Sequence, residues 1–436
     1  MKQVLILIML NPVFLHAQQS GIKFERDLTW QQIKMKAFKE GKYIFVECFA
    51  TWCGPCKYMD QNVYSDEKVA KEANYRFICV KVQMDSSIYD DSVTRNWYID
   101  AHDIRTEFRI SVLPTYLFFS RDGVIVHKAV GIKSSNEFMS MLNDAIDTSK
   151  QYYTLLAKYS RGTKEYRDLP YLATAAYEFG DQDKAAQIAN DYMDNFLFRL
   201  PEQDLFTKDN IEFVRHFTKA SDQEGFAKFY SRGHIIDSIF GERNYAQRFI
   251  DDVILKEEID TRLWRDSNRH LNPFSNSPDW NGIAAVIKRK YKKEYAERVL
   301  LNGQLEWFFV KENWPEYCKT IVKKFNRYGP YGSYETDFNL NAIAWELFEY
   351  SSDNYQLEKA IRMSDTAIKL TSGSNASYLD TYANLLYKMK RKKDALFWEA
   401  RAAALDPKDT GIMYNLKKMR NGEKTWLIPS DIKVGQ

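Results

Sequence analysis

VECFATWCGPCKYMD, Val46 to Asp60, contains two cysteines with two residues between them, Cys53 and Cys56, and places Glu47 six positions before the first. The apolar run YIFVECF (43–49) leads into the pair and is rich in β-branched and aromatic residues, which predicts a buried strand. Apolar residues at helical spacing follow the second cysteine. The pair is therefore expected at a junction between a strand and a helix.

A position at the start of a helix would give the two cysteines different roles. A thiol attacks a disulfide only as the thiolate, and unpaired backbone N–H groups at a helix N-terminus stabilise that charge. Cys53 occupies such a position, and Cys56 lies on the same side one turn later, within reach of a mixed disulfide formed at Cys53. Gly54 and Pro55 remove one backbone donor and fix a dihedral angle, so they are expected to tune the redox potential.

Two other interpretations of the pair stay open from the residues alone. A zinc site needs a second Cys or His pair at ligand spacing, and the remaining cysteines and the six histidines stand singly, so no metal is expected. A static disulfide is the second alternative. Cys48 and Cys79 lie on neighbouring predicted strands and are expected as buried hydrophobic side chains, with a disulfide between them as the alternative. Cys318 is also expected to be buried.

The first residues predict export. Met1-Lys2, an apolar run and the ending LHAQQ have the layout of a secretory signal peptide, residues 1–17, cleaved after Ala17. Asn11-Pro12 breaks the apolar run, which is short of the roughly 20 residues that cross a bilayer, so an uncleaved anchor is the weaker alternative. The mature chain is expected to be exported, to a periplasm rather than out of the cell, and not to be an integral membrane protein.

Length and composition exclude other classes. A chain of 436 residues with 45% hydrophobic residues can form two or three domains with sizeable cores. Its net charge is +3, and no basic segment interleaves with aromatic residues, so nucleic acid is not an expected partner. Five cysteines are too few for a disulfide-stapled scaffold.

The remaining N-terminal pattern predicts an α/β domain over residues 21–150. A first helix behind Asp27 or Thr29 is expected to end near Gly41, and a last helix is expected to start at Ser134 with Glu137 in a capping box. Further predicted strands are 75–82, 115–119 and 124–130, the last two flanking the turn 120–123. The predicted order is αβαβ, a helical segment, then ββα.

Residues 151–436 predict an all-α domain because strand-like alternation disappears. Alanine and leucine recur at an offset of 35 positions near the end, a spacing that suits a helix-turn-helix unit: Ala360, Ala367 and Leu370 match Ala395, Ala402 and Leu405. YEFGDQDKAA (177–186) predicts a similar turn, with Gly180 ending one helix and Asp183 opening the next. Such segments resemble tetratricopeptide repeats, clearest at RAAALDP (401–407), whose stacks offer a concave binding surface.

FVECFATWCGPCK and ISVLPTYLFFSRDG together resemble the active-site and cis-proline segments of the thioredoxin family, over about residues 21–147. The resemblance implies that Cys53 is the nucleophile and Cys56 the resolving thiol, with Trp52 beside the nucleophile. It also implies that Pro114 is a cis-proline and that Leu113 before it presents its backbone to an extended client.

The resemblance places Glu47 at the family's buried acid. The residues agree, because an acid inside an apolar strand needs a partner or a raised pKa, and such a group can move the proton of the resolving thiol. The alternative is a glutamate at a strand edge that reaches water. The segment Gln83–Phe108 is longer than the family's usual link, and Trp97 and Tyr98 in it are expected to pack over an enlarged core rather than to extend the client surface.

The sequence therefore predicts an exported thiol–disulfide oxidoreductase with no cofactor beyond its redox-active disulfide. Its expected partners are disulfide-containing exported proteins, which the helical domain selects, and a membrane electron donor. The Gly-Pro dipeptide matches reducing members of the family, so reduction is the favoured direction. The competing hypothesis is a helical binding protein whose cysteine pair only latches a partner.

Overall fold

The computed structural model describes residues 21–266, 278–332 and 337–426, so the predicted signal peptide, 1–17, lies outside the described residues. The chain forms two compact units that divide between Leu200 and Pro201. No helix among the described residues combines the length and apolar character needed to cross a membrane.

A five-stranded mixed sheet with helices on both faces forms the first unit. The strand order is β1-β3-β2-β4-β5, in which β1, β3 and β2 run parallel and β4 and β5 are antiparallel to their neighbours. The elements are β1 (Phe24–Glu25), α1 (Trp30–Glu40), β2 (Tyr43–Phe49), α2 (Gly54–Asn62), α3 (Glu67–Arg76), β3 (Phe77–Gln83), α4 (Ser92–Asn96), α5 (Tyr98–Glu107), β4 (Thr115–Phe119), β5 (Ile125–Val130), α6 (Ser135–Asp144), α7 (Tyr152–Ser160), α8 (Leu169–Glu178) and α9 (Gln182–Asn195).

Most element boundaries follow local signals in the sequence. Helix α1 starts behind Thr29, which forms a capping box with Gln32, and ends at Gly41 in the left-handed conformation that glycine tolerates. Ser134 and Glu137 form the predicted capping box of α6. These predictions are confirmed.

The central strand β2 divides two hydrophobic cores because its side chains alternate between the faces of the sheet. Cys48 packs into the core on one face and Cys79 into the core on the other, so the two thiols are free and buried, as expected. Cys318 is also free and buried. The alternative Cys48–Cys79 disulfide is absent.

The N-terminal prediction missed two elements. The edge strand β1 has two residues, too few for a periodic signal. Helix α3 follows Asp66, whose side chain accepts hydrogen bonds from the backbone of Lys68 and Val69, and it extends through Arg76. The strand predicted from residue 75 therefore starts at Phe77 instead.

The long link between β3 and the cis-proline segment folds into α4 and α5. Trp97 is 9% exposed and lies in the core beneath α1, with its ring 6.4 Å from that of Trp30. The hydroxyl of Tyr98 donates to Asp90 at 2.5 Å. Packing, which was the expected role of this segment, is confirmed for Trp97.

The first helices after residue 150 belong to the same compact unit as the sheet. The backbone N–H of Tyr152 at the start of α7 donates to Nδ1 of His127 on β5 at 3.2 Å. Helix α9 opens with Asp181 as its N-cap rather than the predicted Asp183, because Asp181 accepts a hydrogen bond from the backbone of Lys184. Secondary structure thus becomes helical near residue 150, whereas the division between compact units comes after Leu200.

Within its described residues, the second unit consists of helices. They are α10 (Glu202–Leu205), α11 (Lys208–Phe217), α12 (Glu224–Phe240), α13 (Tyr245–Leu255), α14 (Thr261–Leu263), α15 (Trp280–Lys290), α16 (Lys293–Val310), α17 (Trp314–Gly332), α18 (Asp337–Tyr350), α19 (Asn354–Leu370), α20 (Ala376–Lys388), α21 (Lys392–Leu405) and α22 (Thr410–Asn421), with a π-helical stretch at Lys256–Asp260. The repeated alanines on α19 and α21 are fully buried: Ala360, Ala367, Ala395 and Ala402. The 35-residue offset therefore marks two helix pairs that pack through small residues.

Candidate active site

The cysteine pair lies where β2 passes into α2. Cys53 is the N-cap residue of α2, Pro55 lies in its first turn, and the backbone N–H of Cys56 donates to the sulfur of Cys53 at 3.1 Å. The two cysteines form a disulfide. Because a helix N-terminus and this N–H both favour negative charge on the Cys53 sulfur, the surroundings of the two sulfurs differ.

Accessibility does not distinguish the two cysteines in the disulfide form. Each is 2% exposed. Trp52 beside them is 71% exposed and forms the rim of the site. The asymmetry of the pair therefore comes from position on the helix, and not from burial.

The predicted cis-proline segment covers the disulfide. The peptide bond between Leu113 and Pro114 is cis, and Leu113 packs against the small cluster that Ala50, Cys53 and Cys56 form. The carbonyl of Pro114 accepts a hydrogen bond from Gly131 at 2.9 Å. Within the described residues, the N–H and C=O of Leu113 make no hydrogen bond, so both are free to pair with an extended chain.

Glu47 is fully buried on the central strand, which excludes the alternative of a strand edge reaching water. Its carboxylate lies 3.2 Å from the ammonium of Lys81, the residue paired with it across β2 and β3. Burial raises the pKa of Glu47 to about 7; the charge of Lys81 opposes that rise and the charge of Asp60 adds to it. A carboxyl with this pKa exchanges protons near neutral pH, as a proton shuttle requires.

Lys81 links the buried carboxyl to the surface and was missed by the sequence reasoning. Its ammonium also contacts the carboxylate of Asp60 at 2.5 Å, and Asp60 is partly exposed on α2. The ring of Phe49 lies 4.8 Å from the same ammonium. The available signal was a lone lysine in the apolar strand FICVKVQ, since a buried cation in such a strand needs an acidic partner.

Asp85 holds the loop that carries Trp52 and was also missed. Its carboxylate accepts hydrogen bonds from the backbone N–H of Thr51 at 3.1 Å and from the Thr51 hydroxyl at 2.5 Å. Asp85 belongs to the long segment after β3, so this segment fixes the position of the residue next to the cysteine pair. In sequence, the two residues are too far apart for local patterns to connect them.

A cysteine pair at a strand-to-helix junction, facing a cis-proline and backed by a buried acid, defines a thioredoxin-like thiol–disulfide oxidoreductase site. The family model described as a thioredoxin-like domain matches residues 31–146. The chain is 31% identical to thioredoxin of Mycoplasmoides gallisepticum over 104 residues, which are 23% of this chain and 82% of that protein. The protein belongs to the thioredoxin-like family.

Two further comparisons cover a similar share of the chain. It is 30% identical to Thioredoxin-2 of Pyricularia oryzae over 105 residues, which are 24% of this chain and 50% of that one, so the chain spans half the length of this relative. A solved structure described as a putative disulphide-isomerase from Bacteroides thetaiotaomicron is 29% identical, covering 30% of this chain and 98% of that chain with a TM-score of 0.25.

No group of three or more His, Cys, Asp or Glu side chains lies close enough to hold a metal ion in the part of the chain that the structure describes. The site residues are instead arranged around sulfur. The cysteine pair follows β2, the strand that carries the titratable carboxyl of Glu47.

Proposed function

We propose that this protein is an exported protein disulfide reductase, in which Cys53 attacks the client disulfide and Cys56 resolves the product. The observation that supports the proposal best is Cys53 at the N-cap of α2, with its sulfur accepting the backbone N–H of Cys56 and its position covered by the cis-proline segment. Family membership supports the same chemistry.

The reaction starts from the reduced pair. The Cys53 thiolate attacks one sulfur of the client disulfide, and the other client sulfur leaves as a thiolate and takes up a proton. The Cys56 thiol loses its proton to Glu47 and attacks the Cys53 sulfur, so the second client sulfur leaves and the Cys53–Cys56 disulfide forms. The client gains two electrons and two protons, and an electron donor must reduce the pair again. In an exported protein we expect that donor to be a membrane protein.

Three residues are assigned to client binding. Leu113 offers free backbone groups, Pro114 fixes the bend of that segment, and the exposed ring of Trp52 forms an apolar edge beside the nucleophile. Val112 and Ile132 are also exposed apolar residues, one in the cis-proline segment and one just after the hydrogen bond that holds it. An extended client segment is the ligand that suits this surface.

We assign client selection to the helical part of the chain, because the groove at the cysteine pair consists mainly of backbone and apolar contacts. The packed helix pairs α19–α20 and α21–α22 support this assignment, since stacks of such pairs offer a surface for binding and take no part in the redox reaction.

The test is a trap for mixed disulfides. Cys56→Ser in the full-length reduced protein should retain a narrow set of exported proteins through Cys53, whereas the double variant Cys53→Ser, Cys56→Ser should retain none. Truncation after Leu200, where the first compact unit ends, should broaden or abolish that set. An unchanged set after truncation would refute client selection by residues 201–436. A full-length trap that retains nothing, with tight binding by residues 201–436, would replace the reductase with a binding scaffold.

A further inference from the structure

A basic cavity lies beside the cis-proline segment within the first compact unit. It has a volume of about 640 Å³ and is lined from α5, from the link to the cis-proline and from the turn after α8. The lining includes three basic side chains, His102, Arg105 and Arg109, together with the hydroxyl of Ser111, and no carboxylate. Ser111 is two residues before Leu113, so the cavity adjoins the segment assigned to the client.

The residues directly after α8 form one wall of this cavity. Phe179, near the end of α8, packs its ring against that of Tyr152 at 4.9 Å, and the ammonium of Lys128 lies 5.1 Å from the same ring. Lys128 in turn donates to the carbonyl of Phe108 at 2.9 Å, next to Arg109. The helical wall and the cis-proline side are therefore held together by direct contacts.

The cations of the cavity are only partly neutralised. Arg109 is 77% exposed, and the carboxylate of Asp181 approaches its guanidinium at 3.6 Å. Arg105 uses one nitrogen to donate to the carbonyl of Met84 at 3.1 Å, which leaves further N–H donors of its planar group. At the first cavity the two guanidinium groups have one neighbouring carboxylate, that of Asp181, and the surplus positive charge there favours an anionic ligand.

A second cavity adjoins the first. It measures about 340 Å³, shares His102 and Arg105 with the first, and includes Asp85. Asp85 holds Thr51, the residue before Trp52. The shared basic residues therefore lie along a surface that extends from the cis-proline side to the loop beside the nucleophile.

We propose that the larger cavity binds a carboxylate side chain of the client and so gives the reductase a preference for disulfides with acidic flanks. This proposal rests on the proposed function. Ser111 lies two positions before Leu113, at most roughly 7 Å of extended chain. A client held at Leu113 would therefore reach the cavity with a glutamate or aspartate two or three positions from its cysteine.

Two variants at the cavity should shift this preference in opposite directions. Arg109 has a φ of 47°, in the left-handed region that favours glycine, so Arg109→Gly removes the charge without opposing the backbone. Asp181→Asn frees Arg109 from its competitor, and asparagine keeps the N-cap of α9. Arg109→Lys retains the charge, and Arg121→Gln, in the turn at the far end of β4, is a matched surface control.

The measurement uses two labelled peptides that differ only at the positions two and three residues before and after a central residue, with glutamate there in one peptide and glutamine in the other. With serine at the centre, fluorescence anisotropy on the full-length protein should give an affinity roughly fivefold higher for the glutamate peptide. Arg109→Gly should bring this affinity ratio close to one, whereas Arg109→Lys should leave it unchanged. Asp181→Asn should raise the ratio. Salt at about 0.5 M should lower it, because salt screens the attraction between the charges.

The same peptides, with a disulfide-bonded cysteine at the central position, test the acidic preference and the reductase activity separately. Reduction of both peptides at equal rates, with equal affinities of the serine peptides, would overturn the acidic preference while the reductase stands. Binding that favours glutamate in the absence of reduction would support the cavity and contradict the reductase. If Arg121→Gln changes the affinity ratio as much as Arg109→Gly does, the effect comes from the overall charge of the protein, and the proposed site is wrong.

Discussion

Replacing Glu47 by glutamine should stabilise the first unit at neutral pH. Burial holds the pKa of Glu47 at about 7 instead of its ordinary 4.5, which means that the folded state binds this proton more tightly than the unfolded state does. Stability is then highest below about pH 4.5, falls between about 4.5 and 7, and is constant above. The rise of the pKa from 4.5 to about 7 corresponds to about 3 kcal/mol of unfolding free energy, which the wild-type protein loses when Glu47 ionises.

The glutamine variant lacks this loss because its amide does not ionise. Its stability relative to wild type should therefore rise by about 3 kcal/mol between pH 4.5 and 8. The pKa of about 7 already includes the opposing charge of Lys81, so the loss of that ion pair in the variant is contained in the gain of about 3 kcal/mol. Lys81 retains its contact with Asp60 at 2.5 Å in the variant.

Amide hydrogen exchange of the oxidised full-length protein measures this change in stability within the first compact unit. Exchange of the β2 amides, corrected for the pH dependence of intrinsic exchange, reports the opening free energy of the sheet and does not depend on the second unit unfolding with it. Parallel curves for wild type and Glu47→Gln from pH 4.5 to 8 would show that the carboxyl does not titrate near neutrality. The reasoning about its burial would then be wrong.

Three further predictions concern the same site. In Cys56→Ser the Cys53 thiol should have a clearly lowered pKa, and in Cys53→Ser the Cys56 thiol should not; equal alkylation rates at neutral pH would contradict the assigned roles. Lys81→Met removes the charge that lowers the pKa of the buried carboxyl, so the pH dependence of mixed-disulfide resolution should move upwards, and an unmoved profile would exclude this coupling. Asp85→Asn should lower the opening free energy at the Thr51 amide by about 1 to 2 kcal/mol and so speed its hydrogen exchange. Unchanged exchange would mean that other contacts hold this loop.

Local chemistry explains which parts of this fold could be predicted from sequence. A capping residue, a run of β-branched residues or a glycine in the left-handed conformation acts within one turn. Helix α1 and strand β2 therefore begin and end, and α6 begins, where the residues indicate. The cysteine motif likewise predicts its own place at the start of α2. The family resemblance added Pro114, whose cis bond no local pattern would have indicated.

The unpredicted features depend on residues that are distant in sequence. Lys81 becomes the partner of Glu47 only through the pairing of β2 and β3, and Asp85 reaches Thr51 only once the sheet has formed. The short strand β1 carries no periodicity, and α3 was hidden because an apolar strand follows it directly. The end of the first unit after Leu200 depends on how α7 packs against β5, which helical spacing alone does not specify.

The reduction potential of the Cys53–Cys56 pair tests the proposed reductase most directly. The full-length protein should be equilibrated in redox buffers of known potential, and the fraction of disulfide measured by mass spectrometry after the free thiols are alkylated. A reductase with this motif is expected near −270 mV, at the reducing end of the family. A value more positive than about −180 mV would make the pair an oxidant of thiols and contradict the account.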